Sequence, residues 1–170
     1  MIEPEVEARV CASIERALAA RGAWAARRPA VRGLWRKAAE ERRGPKLAPD
    51  GALVVVGVSP RAFDTFGIGT CEMSVSVKLS VRIDLCPAGA ALDAYAGPIA
   101  ELLQEWNRTM GCENPCGLDV PGAFTPGGLW LTGGEGPNID DDTGVWSVTY
   151  NFTLRGVVVD AEREQPETGE

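Results

Sequence analysis

The stretch CEMSVSVKLSVRIDLC, residues 71–86, alternates without a fault. Met73, Val75, Val77, Leu79, Val81, Ile83 and Leu85 fall on one side, and Glu72, Ser74, Ser76, Lys78, Ser80, Arg82 and Asp84 on the other. A period of two over this length fits a β-strand with one dry face and one wet face, not a helix. At about 3.3 Å per residue, residues 72–85 reach roughly 46 Å as one strand, where ordinary strands run to ~5–6 residues. That exceeds the ~30 Å diameter of a compact domain of this size. The strand is therefore expected to project beyond the body or to bend at a bulge. A projecting strand offers unpaired backbone groups to a neighbouring chain. Ser74, Ser76 and Ser80 are small enough for close approach, while Lys78, Arg82 and Asp84 can set register by charge. The plain alternative is a solvated surface strand.

A second ribbon repeats the pattern. In VWSVTYNFTLRGVVV, residues 145–159, Trp146, Val148, Tyr150, Phe152 and Leu154 face one way. Ser147, Thr149, Asn151, Thr153 and Arg155 face the other. ALVVVGVS, residues 52–59, reads as a short apolar strand stopped by Pro60, and LWLT, residues 129–132, as another. Residues 112–128 read as loop and residues 133–144 as a turn region, both rich in Gly and Pro.

Residues 4–21 form a helix on the same kind of reading. Val6, Val10, Ile14 and Leu18 make one apolar stripe. Glu3, Glu5 and Glu7 sit near its positive end, Pro4 suits its first turn and Gly22 its close. From about Ala90, the residues Leu92, Tyr95, Ile99, Leu102, Leu103 and Trp106 share a helical face that Gly111 ends. Gly97-Pro98 either kinks this segment or opens a second helix at Pro98. Pro29 and Gly33 interrupt the segment before residues 34–43, where a short helix is expected with Leu34, Trp35 and Ala38 as its apolar side. The whole is an α+β domain over residues 1–159, a mostly antiparallel sheet with helices on its apolar face. Residues 160–170 read as an acidic, disordered tail.

With 170 residues and 45% hydrophobic content, the chain can bury one core. No apolar run approaches the ~18 residues of a membrane span, and the acidic MIEPEVEARV start lacks the features of a signal peptide. The chain has no histidine. That removes the commonest general base, the commonest metal ligand and the usual partner of a nucleophilic Ser or Cys, so an enzyme is not expected. The five cysteines, Cys11, Cys71, Cys86, Cys112 and Cys116, read as reduced thiols of a cytoplasmic product. At opposite ends of a continuous strand, roughly 50 Å apart, Cys71 and Cys86 can neither bridge nor share a metal. Cys112 and Cys116 supply two ligands where a structural zinc needs four. Asn138, Asp140 and Asp142 alternate as calcium ligands do, but the EF-hand template wants Gly and Glu where this chain has Thr143 and Thr149. A solvated hairpin turn fits them better, and no metal or cofactor is expected.

Charge is unevenly spread. Nine Arg and Lys against Glu40 and Glu41 give residues 21–46 a charge of +7, so with a net charge of −7 the remainder carries −14. Trp24, Arg27, Arg28, Arg32, Trp35, Arg36, Lys37, Arg42 and Arg43 have the composition of an interface hot spot. The acidity of the rest favours a protein partner over DNA. A merely solvated Arg-rich stretch is the alternative.

An opening amphipathic helix, a short strand, the long SVSVKLSVRIDL strand, the LDAYAGPIAELLQEWN helix and the closing GVWSVTYNFTLRGVVV strand carry a resemblance. Over residues 1–20 and 52–159 the chain resembles the tail terminator, or tail-completion, proteins of tailed bacteriophages. The closing aromatic-rich strand after an acidic turn is the most suggestive part, and residues 21–46 lie outside the resemblance. The family has no catalytic signature, so no functional residues carry over. The resemblance implies an α+β protomer in a homohexameric ring on the last ring of the tail tube. Such a ring stops tube growth and meets the head-side connector, with DNA passing through its lumen. It also implies a place in the virion tail after assembly in the bacterial cytoplasm. Two other readings stand beside it: a tube subunit or head-tail adaptor, and a hydrolase or binding domain working through Asp119 or Asp140–Asp142.

Overall fold

The stripe of Val6, Val10, Ile14 and Leu18 is buried along helix α1 (Ile2–Ala19), with Glu3 and Glu5 in its first turn and Arg16 in its last. Those charges complement the helix dipole at both ends. The computed structural model describes residues 2–20, 30–35, 52–63, 69–85, 88–91, 95–108 and 117–158. In chain order, α1 is followed by β1 (Ala30–Gly33), β2 (Leu53–Val58), β3 (Ala62–Phe63) and β4 (Thr70–Arg82). Then come the short α2 (Ala88–Ala91), α3 (Gly97–Arg108), β5 (Phe124–Asp140) and β6 (Val145–Val158).

The strands form one mixed sheet in the order β1-β2-β4-β6-β5, with β3 beside β4. β1 pairs parallel to β2, and the other pairings are antiparallel. This is an α+β fold, with α1 and α3 packed on one face of the sheet. The core between the layers joins the α1 stripe, Tyr95, Ile99 and Leu103 to the dry sides of β2, β4 and β6. Both alternating ribbons face as their sequence predicts. Cys71, Met73, Val75, Val77, Leu79 and Val81 are buried, and β6 contributes Trp146, Phe152 and Leu154. Pro98 lies in the first turn of α3, directly after a π-helical turn at Tyr95 and Ala96, so the helical run passes through Gly97-Pro98; residues 92–94, before it, lie outside the described residues.

Several expectations are corrected. β4 ends at Arg82, because Ile83–Leu85 turn: the Leu85 amide donates to the Arg82 carbonyl at 3.2 Å. Its end does not project, since all thirteen residues pair with β6. On its other side β2 and β3 succeed one another, with two residues, Pro60 and Arg61, set against Met73. The bulge therefore lies in the partner. LWLT is a fragment of a strand of 17 residues that takes in much of the expected loop and turn regions. Leu34 and Trp35 follow β1 in a bend and are not the start of a helix; the remainder of that expected helix lies outside the described residues. Among the described residues, no helix is long and apolar enough to cross a membrane.

Candidate assembly surfaces

Helices cover only one face of the sheet among the described residues, so its other face is a polar surface. Cross-strand partners there are Ser74 with Thr153, Ser76 with Asn151, Lys78 with Thr149 and Ser80 with Ser147. Ser74 and Lys78 are exposed and Ser76 is half-buried. At one end of this face Arg155 Nε donates to Glu72 Oε1 at 2.9 Å, and its guanidinium lies 5.5 Å from the centre of the Trp130 ring. At the other end Arg82 Nε donates to Asp84 Oδ1 at 3.1 Å. That hydrogen bond, with the charge behind it, holds the Asp84 carboxyl below its ordinary range. β4 lies inside the sheet, so it offers a neighbour its polar side chains and not a free backbone edge.

Among the described residues the strand order ends in β1 and β5, and these two end strands are held differently. Glu7, 1% exposed, reaches from α1 to β1 and β2. Its Oε1 accepts from the Trp35 amide at 2.9 Å and its Oε2 from the Val58 amide at 3.4 Å. A Cβ on Gly33 would stand 2.0 Å from Glu7 Oε1, so only glycine lets the carboxylate in. The Trp35 indole donates to the Val58 carbonyl at 2.7 Å, which leaves the ring 38% exposed. Leu34, beside it, is 53% exposed.

Among the described residues β5 has β6 as its one strand neighbour, and it slips register at Pro126/Gly128, Leu131/Gly133 and Glu135/Asn138. Leu131 and Ile139 stand opposite Phe152 and Trp146, yet they are 46% and 58% exposed. The helices do not reach that far. Glu135 and Asp140 point to the polar face, opposite Thr149 and Val145. The hairpin then closes through Asp141–Gly144, where Asp140 Oδ1 accepts from the amides of Asp142 at 3.0 Å and Thr143 at 3.3 Å. Those amides hold its carboxyl below the usual range. The acidic run is thus a turn-forming device, with Gly144 at φ 66°. Among the described residues no group of three or more His, Cys, Asp or Glu is placed to hold a metal.

A buried polar cluster sits where α1 meets β3. Glu3 Oε1 accepts from the Arg61 amide at 3.1 Å and lies 3.7 Å from Arg61 Nε, while Glu3 Oε2 is buried with no hydrogen-bond partner. Burial pushes the Glu3 carboxyl up, but the amides of Glu3 and Arg61 and the Arg61 charge outweigh it, leaving it below its ordinary value. The nearby Cys71 thiol is buried and pushed up, chiefly by desolvation.

Of the residues expected at an interface, Arg32 lies in β1, Trp35 just beyond it, and Ser74, Ser76 and Lys78 on the polar face. Arg82 and Asp84 mark that face's far end. Trp24, Arg27, Arg28, Arg36, Arg42 and Arg43 lie outside the described residues, as do Cys86, Cys112 and Cys116. The exposed apolar residues of β5 escaped the sequence reading, because Gly133, Gly134 and Gly136 mask the alternation there. The chain matches no model of a known protein family and no curated protein.

Proposed function

We propose that this chain is a structural protein of the phage tail: a ring-forming tail terminator that caps the tail tube, stops its polymerisation and joins it to the head-side connector. One observation carries the reading. Two long strands run side by side in unbroken register through a sheet whose polar face and two unlike end strands carry no further strand or helix among the described residues. A closed ring needs a heterologous interface, one patch meeting a different patch on the next copy. A rigid sheet with dissimilar edges suits that demand. In this reading six copies close around a lumen through which DNA passes without sequence-specific contact, in the virion tail.

The test is assembly with purified components. Negative-stain images are expected to show discrete closed rings, and the rings added to growing tail tubes are expected to cap them at limited length. Open-ended tubes built from this chain alone would make it a tube subunit. A chain that stays monomeric at every concentration, or turns over an ester when metal is added, overturns the proposal.

A further inference from the structure

Two arginines of α1 share a hollow without an acid to balance them. Arg9 and Arg16 stand seven positions apart on the helix, two turns and about 10 Å along one flank. With Glu5, Ala8, Ala12 and Gly117 they line a hollow of about 240 Å³, which the alanines are too small to fill. Among the described residues neither arginine enters an ion pair. Arg16 donates to the Ser13 hydroxyl at 3.1 Å, a neutral partner that leaves its charge unbalanced. Arg9 is half-buried, and its Nε is out of water with no hydrogen-bond partner. Glu5 is exposed at the rim, so the lining sets two positive charges against one negative. A guanidinium partly withdrawn from water and left without a carboxylate is a poor end state, and a carboxylate arriving there improves it.

Exposed carboxylates stand at the tip of the β5–β6 hairpin. Asp140 spends its carboxylate on the turn itself, accepting from the amides of Asp142 and Thr143. Asp141 and Asp142 are exposed, and among the described residues their carboxylates have no hydrogen-bond or ion-pair partner. We infer that Asp141 and Asp142 of one copy enter the Arg9–Arg16 hollow of a second copy. Each guanidinium receives one carboxylate through its fork of N–H donors. Burial around Arg9 thins the competing water, so the pair is stronger than one on open surface. The turn is already shaped by Asp140, so little ordering is needed when its two acids dock. The contact rests on the ring reading, since a hairpin tip and a helix flank are the unlike patches that a heterologous interface requires. Tip against tip sets acid on acid, and hollow against hollow sets arginine on arginine, so like-with-like pairing is penalised.

The test reverses each side in the full chain: Arg9→Glu with Arg16→Glu, and Asp141→Lys with Asp142→Lys. A further variant carries all four changes. Circular dichroism melts check folding, and Arg9→Gln with Arg16→Gln, which removes charge but keeps bulk, replaces the first pair if the reversed helix is unstable. By sedimentation velocity, each reversal alone is expected to raise the concentration needed for assembly by about tenfold or more. The fourfold variant is expected to regain assembly, because the same pairs form with their signs exchanged. A mixture of the two reversals is expected to assemble as well, the intact turn of the first meeting the intact hollow of the second. Either reversal assembling like the wild type overturns the inference, as does failure of both the fourfold variant and the mixture. A hollow that takes inorganic phosphate, seen as amide shifts along α1, while both reversals assemble normally, overturns it too and makes this a site for a free anion. Closed rings that survive both reversals leave the tail-terminator proposal standing without this contact. Assembly that depends on these four residues yet never caps a tube does the reverse, and a wild type that stays monomeric overturns both.

Discussion

The middle of the sheet and its edges are built on different terms. β4 and β6 pair over thirteen positions without a slip, and Val75 meets Phe152 as Val81 meets Trp146 under the helix layer. At the margin, β5 slips three times against β6, and every residue from 131 to 140 is exposed. β1, only four residues long, takes a buried carboxylate from another layer to tie it down. The centre is specified by what its own strands carry. The edges are specified by what their neighbours supply or leave open. An edge left open is a place for another chain.

Phe152 and Leu131 put this contrast to its hardest test, since they are ladder partners on the same side of the sheet, 1% and 46% exposed. Phe152→Ala is expected to cost about 3–5 kcal/mol, the lost transfer free energy plus a cavity. Leu131→Ala removes apolar atoms already half in water and is expected to fall within about 0.5 kcal/mol. Urea denaturation at a concentration where the protein is monomeric measures both. Equal costs would mean that the outer half of β5 is covered after all.

The β1 edge gives the next effect. Glu7→Ala removes the acceptor for the amides of Trp35 and Val58 and is expected to cost about 1–3 kcal/mol. Gly33→Ala forces a Cβ to within 2.0 Å of the same carboxylate and is expected to destabilise as well. If both act through one contact, the double variant costs less than the sum of the singles. Additive costs would mean that Glu7 and Gly33 act independently and that β1 is held by its ladder to β2 and not by this contact with α1.

The centre was legible because a period of two needs no knowledge of the rest of the fold. That same rule overran: Ile83 and Leu85 keep the alternation in a turn, where the Ile83 amide donates to the Gly144 carbonyl at 2.9 Å. β5 was hard to read for the opposite reason. Gly133, Gly134, Gly136 and Pro137 have turn propensity, and pairing with β6 overrides it. Gly33 looked like a helix breaker, and Glu7 like one of three acids at a helix N-terminus. Their partnership depends on two segments 26 positions apart meeting in space. The basic block and the acidic turn were visible as charges. That Arg32 in β1 and the acidic turn beside β5 stand at opposite ends of the strand order, each near exposed apolar residues, follows from strand order and from where the helices stop, and neither is a local property.

A milder effect than at Glu7 is expected where β3 extends the sheet, because two influences oppose each other there. Glu3 is buried beside Arg61 with one oxygen bonded and the other without a partner. Desolvation favours the neutral acid, whereas the two amides and the Arg61 charge favour the carboxylate and prevail, so the folded-state pKa is depressed. A depressed carboxylate contributes stability above its unfolded pKa, about 4.3 for glutamate, and loses it as the pH falls through the folded value. Glu3→Gln is therefore expected to be less stable than the wild type at neutral pH, by less than Glu7→Ala, and the gap is expected to shrink as the solution is acidified below about pH 4. Urea melts of both proteins across that range decide it. A gap that widened on acidification would mean that burial outweighs Arg61 and that Glu3 sits protonated at this end of the sheet.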